Sequence, residues 1–155
     1  MAKISEGMQA PRFELSSTTG ERVSLSALLE KGPVVVFFYP KDDTPGCTKE
    51  ACTFRDSYEA FQAAGASVVG ISSDSTKSHQ RFADKHGFPF LLLADEGGRV
   101  RSEFGVPKTL GLIDGRSTYV IDKQGVVRGV FHSQLQVTRH AHEALETVRS
   151  LAKAS

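Results

Sequence analysis

Val34-Val35-Val36-Phe37-Phe38-Tyr39 runs into Pro40-Lys41-Asp42-Asp43-Thr44-Pro45-Gly46 and then into Cys47. The first six residues are continuous, apolar and rich in β-branched and aromatic side chains, the pattern of a central strand buried on both faces. The proline- and glycine-containing segment after them ends the strand and starts a loop. Beyond it, Cys47, Ala51, Phe54, Tyr58 and Phe61 stand at offsets 0, 4, 7, 11 and 14, and so line one face of an α-helix, with Gly65 as its natural stop. Strand, loop and helix make one βα unit, and the remaining elements are placed around it.

Toward the N-terminus, Phe13-Glu14-Leu15 reads as a short strand, Thr19-Gly20 as a turn, and Ser24 to Glu30 as a short helix capped by Ser24. Toward the C-terminus the pattern predicts strands at Ala66 to Ser72 and Phe90 to Ala94, with helices at Ser75 to His86 and Gly97 to Phe104. Ser117 to Asp122 and Val126 to Phe131 form a hairpin about Lys123-Gln124-Gly125, and Val137 to Ala152 closes the chain as a helix. No repeat, low-complexity tract or linker divides the 155 residues, so residues 1–155 are expected to form a single domain. The fold class is α/β, a central mixed β-sheet flanked by helices. The order strand, helix, strand, then hairpin and helix, is what a thioredoxin-like core requires. Extra elements then fall at the N-terminus and between the second and third core strands.

Composition narrows the partners. Basic and acidic residues number 19 and 18, a net charge of +1, which gives no electrostatic case for nucleic acid or an anionic membrane. The longest apolar run, Val34 to Tyr39, is far short of the ~18–20 residues of a membrane span. Met1-Ala2-Lys3-Ile4-Ser5-Glu6 has no apolar core of a secretory signal. The default expectation is a cytosolic protein acting on a neutral small molecule or another protein. In that compartment a lone cysteine pair is more often catalytic or redox-sensing than structural.

Cys47 is expected in the first turn of its helix, where unpaired N–H groups carry partial positive charge and favour a thiolate. Ionisation alone explains little. A thiol of pKa ~8.5 is roughly 7% ionised near pH ~7.4, so complete ionisation gains only about 14-fold. Lower basicity also weakens the nucleophile. Any fast reaction needs donors that position the substrate and stabilise charge on a departing oxygen. Cys52 lies five residues on, which on a helix separates the Cα atoms by about 8–9 Å. A disulfide spans roughly 4.4–6.8 Å, so a bond between them would require the first turns to unwind. Spacing alone leaves two readings open, a redox pair or two small buried hydrophobes.

The segment Pro40 to Cys47 resembles the peroxiredoxin active-site pattern of Pro, three residues, Thr or Ser, two residues, Cys. Its continuation, Thr48-Lys49-Glu50-Ala51-Cys52-Thr53-Phe54-Arg55-Asp56, is similar to the peroxiredoxin Q or bacterioferritin comigratory protein branch. The similarity extends through Gly70-Ile71-Ser72, Ala94-Asp95-Glu96, Arg116 to Asp122 and the C-terminal helix. It implies a thiol peroxidase acting on hydrogen peroxide and organic hydroperoxides. Cys47 would be the peroxidatic cysteine, oxidised to a sulfenic acid, and Cys52 the resolving cysteine that closes an intramolecular disulfide. Thr44 would hydrogen-bond the peroxide, Pro40 would shield the pocket, Arg116 would supply a cation near Cys47, and Glu50 would orient an arginine. It further implies no metal or organic cofactor, a thioredoxin-type dithiol donor and a monomer. Bacterial cytoplasm is the expected location, or the chloroplast after processing.

Without the resemblance, Thr44 has the lesser alternative of a helix cap, Glu50 reads equally as a complement to the helix dipole, and Arg116 reads first as a surface arginine. Asp42-Asp43 reads as a turn-forming pair. His79, His86, His132, His140 and His142 show no metal spacing, and His140 and His142 are expected to be solvated. Neither G-x-G-x-x-G, a P-loop nor G-x-S-x-G occurs. Two rivals remain: a thiol–disulfide oxidoreductase, disfavoured by the four residues between the cysteines, and a non-catalytic redox sensor or binding module.

Overall fold

A computed structural model of the chain describes residues 3–108 and 114–154; part of the Gly105 to Gly115 stretch therefore lies outside the described residues. Thirteen elements follow one another: β1 (Glu14–Ser17), β2 (Arg22–Ser24), α1 (Leu25–Leu29), β3 (Val34–Phe38), α2 (Pro45–Asp56), α3 (Tyr58–Ala63), β4 (Ser67–Ser72), α4 (Thr76–His86), β5 (Leu91–Ala94), α5 (Arg99–Phe104), β6 (Ser117–Ile121), β7 (Val127–His132) and α6 (Arg139–Ala154). Seven strands form one mixed sheet in the order β2-β1-β5-β4-β3-β6-β7.

The run from Val34 is the middle of that sheet, parallel to β4 and antiparallel to β6. All five residues of β3 are buried, and they alternate between two cores. Val34, Val36 and Phe38 pack under α1 and α5, with Leu25, Leu29, Val100 and Phe104. Val35, Phe37 and Tyr39 pack under α2, α3, α4 and α6, with Phe54, Phe61, Phe82 and Val148. Two covered faces are why this strand is continuously apolar. Phe37 needs a glycine beside it: its register partner is Gly70, where a Cβ would come within 2.6 Å of the Phe37 ring.

The segments β3-α2-α3-β4 and β6-β7-α6 form the thioredoxin-like core. The hairpin β1-β2 and strand β5, with helices α4 and α5, extend the sheet beyond β4. These are the additions expected at the N-terminus and between core strands, although β2 was not anticipated. One expectation is corrected. The stripe from Cys47 to Phe61 is not one helix, because α2 ends at Asp56 and Ser57 takes φ −97°, ψ 2° before α3 begins. The stripe stays in phase across the break, so periodicity could not reveal it. Phe54 still stacks on Phe37 with ring centroids 4.3 Å apart, which ties the C-terminal half of α2 to the sheet. Among the described residues, no helix is long and apolar enough to cross a membrane.

Candidate active site

Helix α2 starts where β3 leaves the sheet. Thr44 is its N-cap residue and Pro45 occupies the first turn, as the fixed φ and missing N–H of proline favour. The first helical hydrogen bond runs from Thr48 N–H to the Thr44 carbonyl, 2.8 Å, so the N–H groups of Gly46 and Cys47 precede the ladder. Cys47 is 1% exposed, Cys52 is half-buried on the same helix, and both are free thiols.

Arg116, directly before β6, lies across this turn. Its Nη1 is 3.4 Å from the Cys47 sulfur and 2.6 Å from Glu50 Oε1, and its Nε donates to the Gln134 carbonyl at 3.3 Å. Gly46 makes room for it, since a Cβ there would stand 3.2 Å from Arg116 Nη2. Burial opposes the Arg116 charge, but Glu50 and Cys47 beside it outweigh burial and raise its pKa. Glu50 is fully buried, and burial pushes its carboxyl up to about 8 against the pull of Arg116 and the more distant Arg101. Its Oε2 has no hydrogen-bond partner among the described residues.

Facing that oxygen, 3.5 Å away, is Nδ1 of His140. This corrects the expectation of a solvated His140, which is 0% exposed. It sits on the apolar stripe of α6 with Ala144 and Val148, four and eight residues on, and that spacing was the available signal. Nε2 faces the Ser133 carbonyl at 2.8 Å and therefore donates, which leaves Nδ1 to accept from the Thr118 hydroxyl at 2.7 Å. The imidazole is accordingly neutral. Burial, with Arg116 nearby, lowers its pKa to about 4, although the bond to Ser133 pulls the other way. Its contact with Glu50 is not an ion pair.

The Thr44 hydroxyl does not cap the helix; it donates to the Lys41 carbonyl at 2.9 Å. With that proton committed, its oxygen lone pairs are free to accept from a ligand. Pro40 is half-buried at the end of β3. The six residues singled out in the sequence thus fall on one strand end, one loop, the first two turns of α2 and the start of β6, with Arg116 in contact with both Cys47 and Glu50.

Three groups escaped the sequence reading. Arg101, 4% exposed, donates from Nη2 to the Tyr39 carbonyl at 2.6 Å and from Nη1 to the Gly115 carbonyl at 2.7 Å. It thereby ties the end of β3 to the residue before Arg116. Burial lowers its pKa despite Asp114 and Asp95 nearby. Asp42 and His79 are the other two. Asp42 and Asp43 form the turn read from the sequence, but their side chains part: Asp42 is 7% exposed and hydrogen-bonded inward, whereas Asp43 faces solvent at φ 59°. Ligand atoms of Asp42, Asp74 and His79 lie within 4.8 Å of one another. The Asp42 oxygens and both His79 nitrogens are already engaged by protein groups, so the cluster is a hydrogen-bond network and not a metal cradle.

Residues 7–130 match the AhpC/TSA family. The chloroplastic peroxiredoxin Q of Sedum lineare is 55% identical over 151 residues, covering 97% of this chain and 81% of the relative. The fold superposes on peroxidoxin BcpB from Mycobacterium tuberculosis with a TM-score of 0.88 and 44% identity, covering 94% of this chain and 97% of the other. It superposes on the bacterioferritin comigratory protein of Xanthomonas campestris, a structure solved for insight into that protein's alkyl peroxide reduction activity. There the TM-score is 0.82 at 34% identity, over 90% of this chain and 92% of that one.

Proposed function

The chain belongs to the AhpC/TSA family, in its peroxiredoxin Q branch, and is a peroxidase of the atypical two-cysteine type; from that premise we propose that Cys47 is the peroxidatic and Cys52 the resolving cysteine. The observation that carries the assignment is the guanidinium of Arg116, 3.4 Å from a Cys47 sulfur that is 1% exposed at a helix N-terminus.

The Cys47 thiolate attacks the terminal oxygen of a hydroperoxide. A sulfur–oxygen bond forms as the oxygen–oxygen bond breaks, giving the sulfenic acid and an alkoxide that takes up a proton to leave as the alcohol, or as water from hydrogen peroxide. Arg116 and the first-turn N–H groups face the charge that moves onto the departing oxygen. Thr44, its own proton held by Lys41, accepts the hydrogen bond of the peroxide, and Pro40 closes the side of the pocket. Glu50 holds Arg116 in place.

Cys52 then attacks the sulfenic sulfur, forming the disulfide and releasing water. Both cysteines lie within the unbroken α2, whose geometry sets their Cα atoms about 8–9 Å apart, so the first turns unwind for this step. The break at Ser57 and the Phe54–Phe37 stack give that unwinding a natural limit. A thioredoxin-type dithiol protein supplies two electrons to reduce the disulfide. The uninterrupted sheet supports reading residues 1–155 as one catalytic domain, acting as a monomer in bacterial cytoplasm or a chloroplast.

The test adds one equivalent of hydrogen peroxide to reduced protein, blocks free thiols within milliseconds and records intact mass. Wild type loses both thiols, Cys52→Ser accumulates a sulfenic acid, and Cys47→Ser does not react. Oxidation no faster than that of free cysteine in all three would remove the assignment.

A further inference from the structure

The loop that leads into α2 is fastened from within. Tyr39 Oη donates to Asp42 Oδ1 at 2.5 Å, and Ser78 Oγ donates to Asp42 Oδ2 at 2.8 Å. The same Oδ2 is 2.7 Å from Nδ1 of His79, whose Nε2 lies 2.9 Å from the Leu93 carbonyl. Asp42 N–H donates to Asp74 Oδ2, which also receives the Ser72 hydroxyl. His79 is 0% exposed, on the apolar face of α4 three residues before Phe82.

The partners fix the protons. A carbonyl oxygen only accepts, so Nε2 of His79 carries a hydrogen. Asp42 accepts at both oxygens, from Tyr39 at Oδ1 and from Ser78 at Oδ2, and meets Nδ1 with that same Oδ2, so the carboxylate acts as an acceptor throughout. Nδ1 then carries a hydrogen too, and a ring with both nitrogens protonated is an imidazolium. The ionisable groups around it are Tyr39 from the end of β3, Asp42 from the loop and Asp74 from the β4–α4 connection; β5 presents the Leu93 carbonyl. Burial, reinforced by Asp42, raises the Tyr39 pKa well above its ordinary value, so its hydroxyl stays a donor.

We propose that His79 is a positioning residue: as a buried imidazolium clamped between Asp42 and the Leu93 carbonyl, it holds the Tyr39–Asp43 loop rigid while α2 unwinds and rewinds beside it. The proposal rests on the reading of Cys47 and Cys52 given above and adds the fixed half of the cycle. Pro40 lies within the clamped loop and Thr44 directly follows it, so the clamp preserves the peroxide pocket through each turnover. Nothing in the clamp belongs to α2, and unwinding leaves every one of its bonds intact.

Two measurements on the full chain test it. Nitrogen-15 histidine spectra should show two proton-bearing ring nitrogens on His79 at neutral pH, unchanged between the reduced and disulfide forms. In single turnover, His79→Gln should slow sulfenic acid formation by about tenfold or more, as small misplacements near a reacting centre do, while disulfide closure stays within about threefold. A single proton-bearing nitrogen, a His79 signal that changes on disulfide formation, or His79→Gln oxidising at the wild-type rate would each overturn the proposal. The spectra need no variant to fold. Loss of peroxide reactivity in the wild type would strike the peroxidase assignment and leave the His79 result standing by itself.

Discussion

Two buried acid–histidine pairs lie at the start of α2, one in the loop before it and one on its second turn, and their histidines differ in the group that Nδ1 meets. In the Asp42–His79 pair, Nδ1 meets a carboxylate at 2.7 Å and Nε2 a carbonyl at 2.9 Å. In the Glu50–His140 pair, Nε2 also meets a carbonyl, at 2.8 Å, but Nδ1 meets a hydroxyl at 2.7 Å and the carboxylate only at 3.5 Å. A hydroxyl can donate, so His140 stays neutral, whereas the carboxylate beside Nδ1 of His79 is an acceptor. The first pair is closed and joins loop to scaffold. The second leaves Glu50 Oε2 without a hydrogen-bond partner among the described residues and makes Glu50 depend on Arg116, which also faces Cys47. Charge is settled where the backbone has to stay still, and held in tension on the helix that has to move.

Removing Arg116 breaks the comparison most severely, because it serves both the thiol and Glu50. Arg116→Gln should lower the second-order rate of Cys47 oxidation by about 100-fold or more, the scale seen when a donor to a developing oxyanion is lost. Stopped-flow oxidation with hydrogen peroxide measures it. A loss below about fivefold would mean that the first-turn N–H groups suffice.

Much of this arrangement was legible in the sequence, and the exceptions share a cause. Val34 to Tyr39 announced the doubly covered strand, and the proline- and glycine-rich loop before Cys47 announced the helix start, because hydrophobic periodicity and turn chemistry are local. Arg116 became a candidate only through family resemblance, since its 69-residue separation from Cys47 is closed by the β3–β6 pairing. The burial of Asp42, His79, Arg101 and His140 was not foreseen, because polar residues are exposed by default and their partners lie far along the chain. His79 and His140 each occupy an apolar helical stripe. A histidine at such a position signals a satisfied buried polar group, and that sign was available.

Glu50 offers a sharper test of the strained side. Its carboxyl is raised from 4.5 to about 8, so between those values the folded protein holds a proton that the unfolded chain has released, and stability falls as pH rises through that window. His140, lowered from 6.5 to about 4, acts oppositely: the unfolded chain binds the extra proton, and stability rises with pH from about 4 to 6.5. The two effects offset each other below pH 6.5, leaving Glu50 alone from 6.5 to 8. Denaturant unfolding of wild type against Glu50→Gln should therefore diverge in that interval by up to about 2 kcal/mol, with the variant losing less stability on going to pH 8. Parallel curves would mean that Glu50 is already ionised at pH 6.5 and that Arg116 fully compensates its burial.

The smallest effect belongs to the outer face of the clamped loop. Lys85 Nζ contacts both oxygens of Asp43, at 3.1 and 3.2 Å, next to the buried Asp42. Their side chains are 61% and 53% exposed, so water screens the attraction, and holding two long side chains together costs entropy. Lys85→Ala should change stability by no more than about 0.5 kcal/mol and leave Cys47 oxidation unaltered. The two bridges are neighbours in sequence, both tie the loop to α4, and both pair an aspartate with a cation. If the loop is held by its buried bonds, only the inner one matters. A Lys85→Ala variant that oxidised as slowly as His79→Gln would show that attachment to α4 counts in itself, wherever it is made, and that burial of the Asp42–His79 pair is incidental.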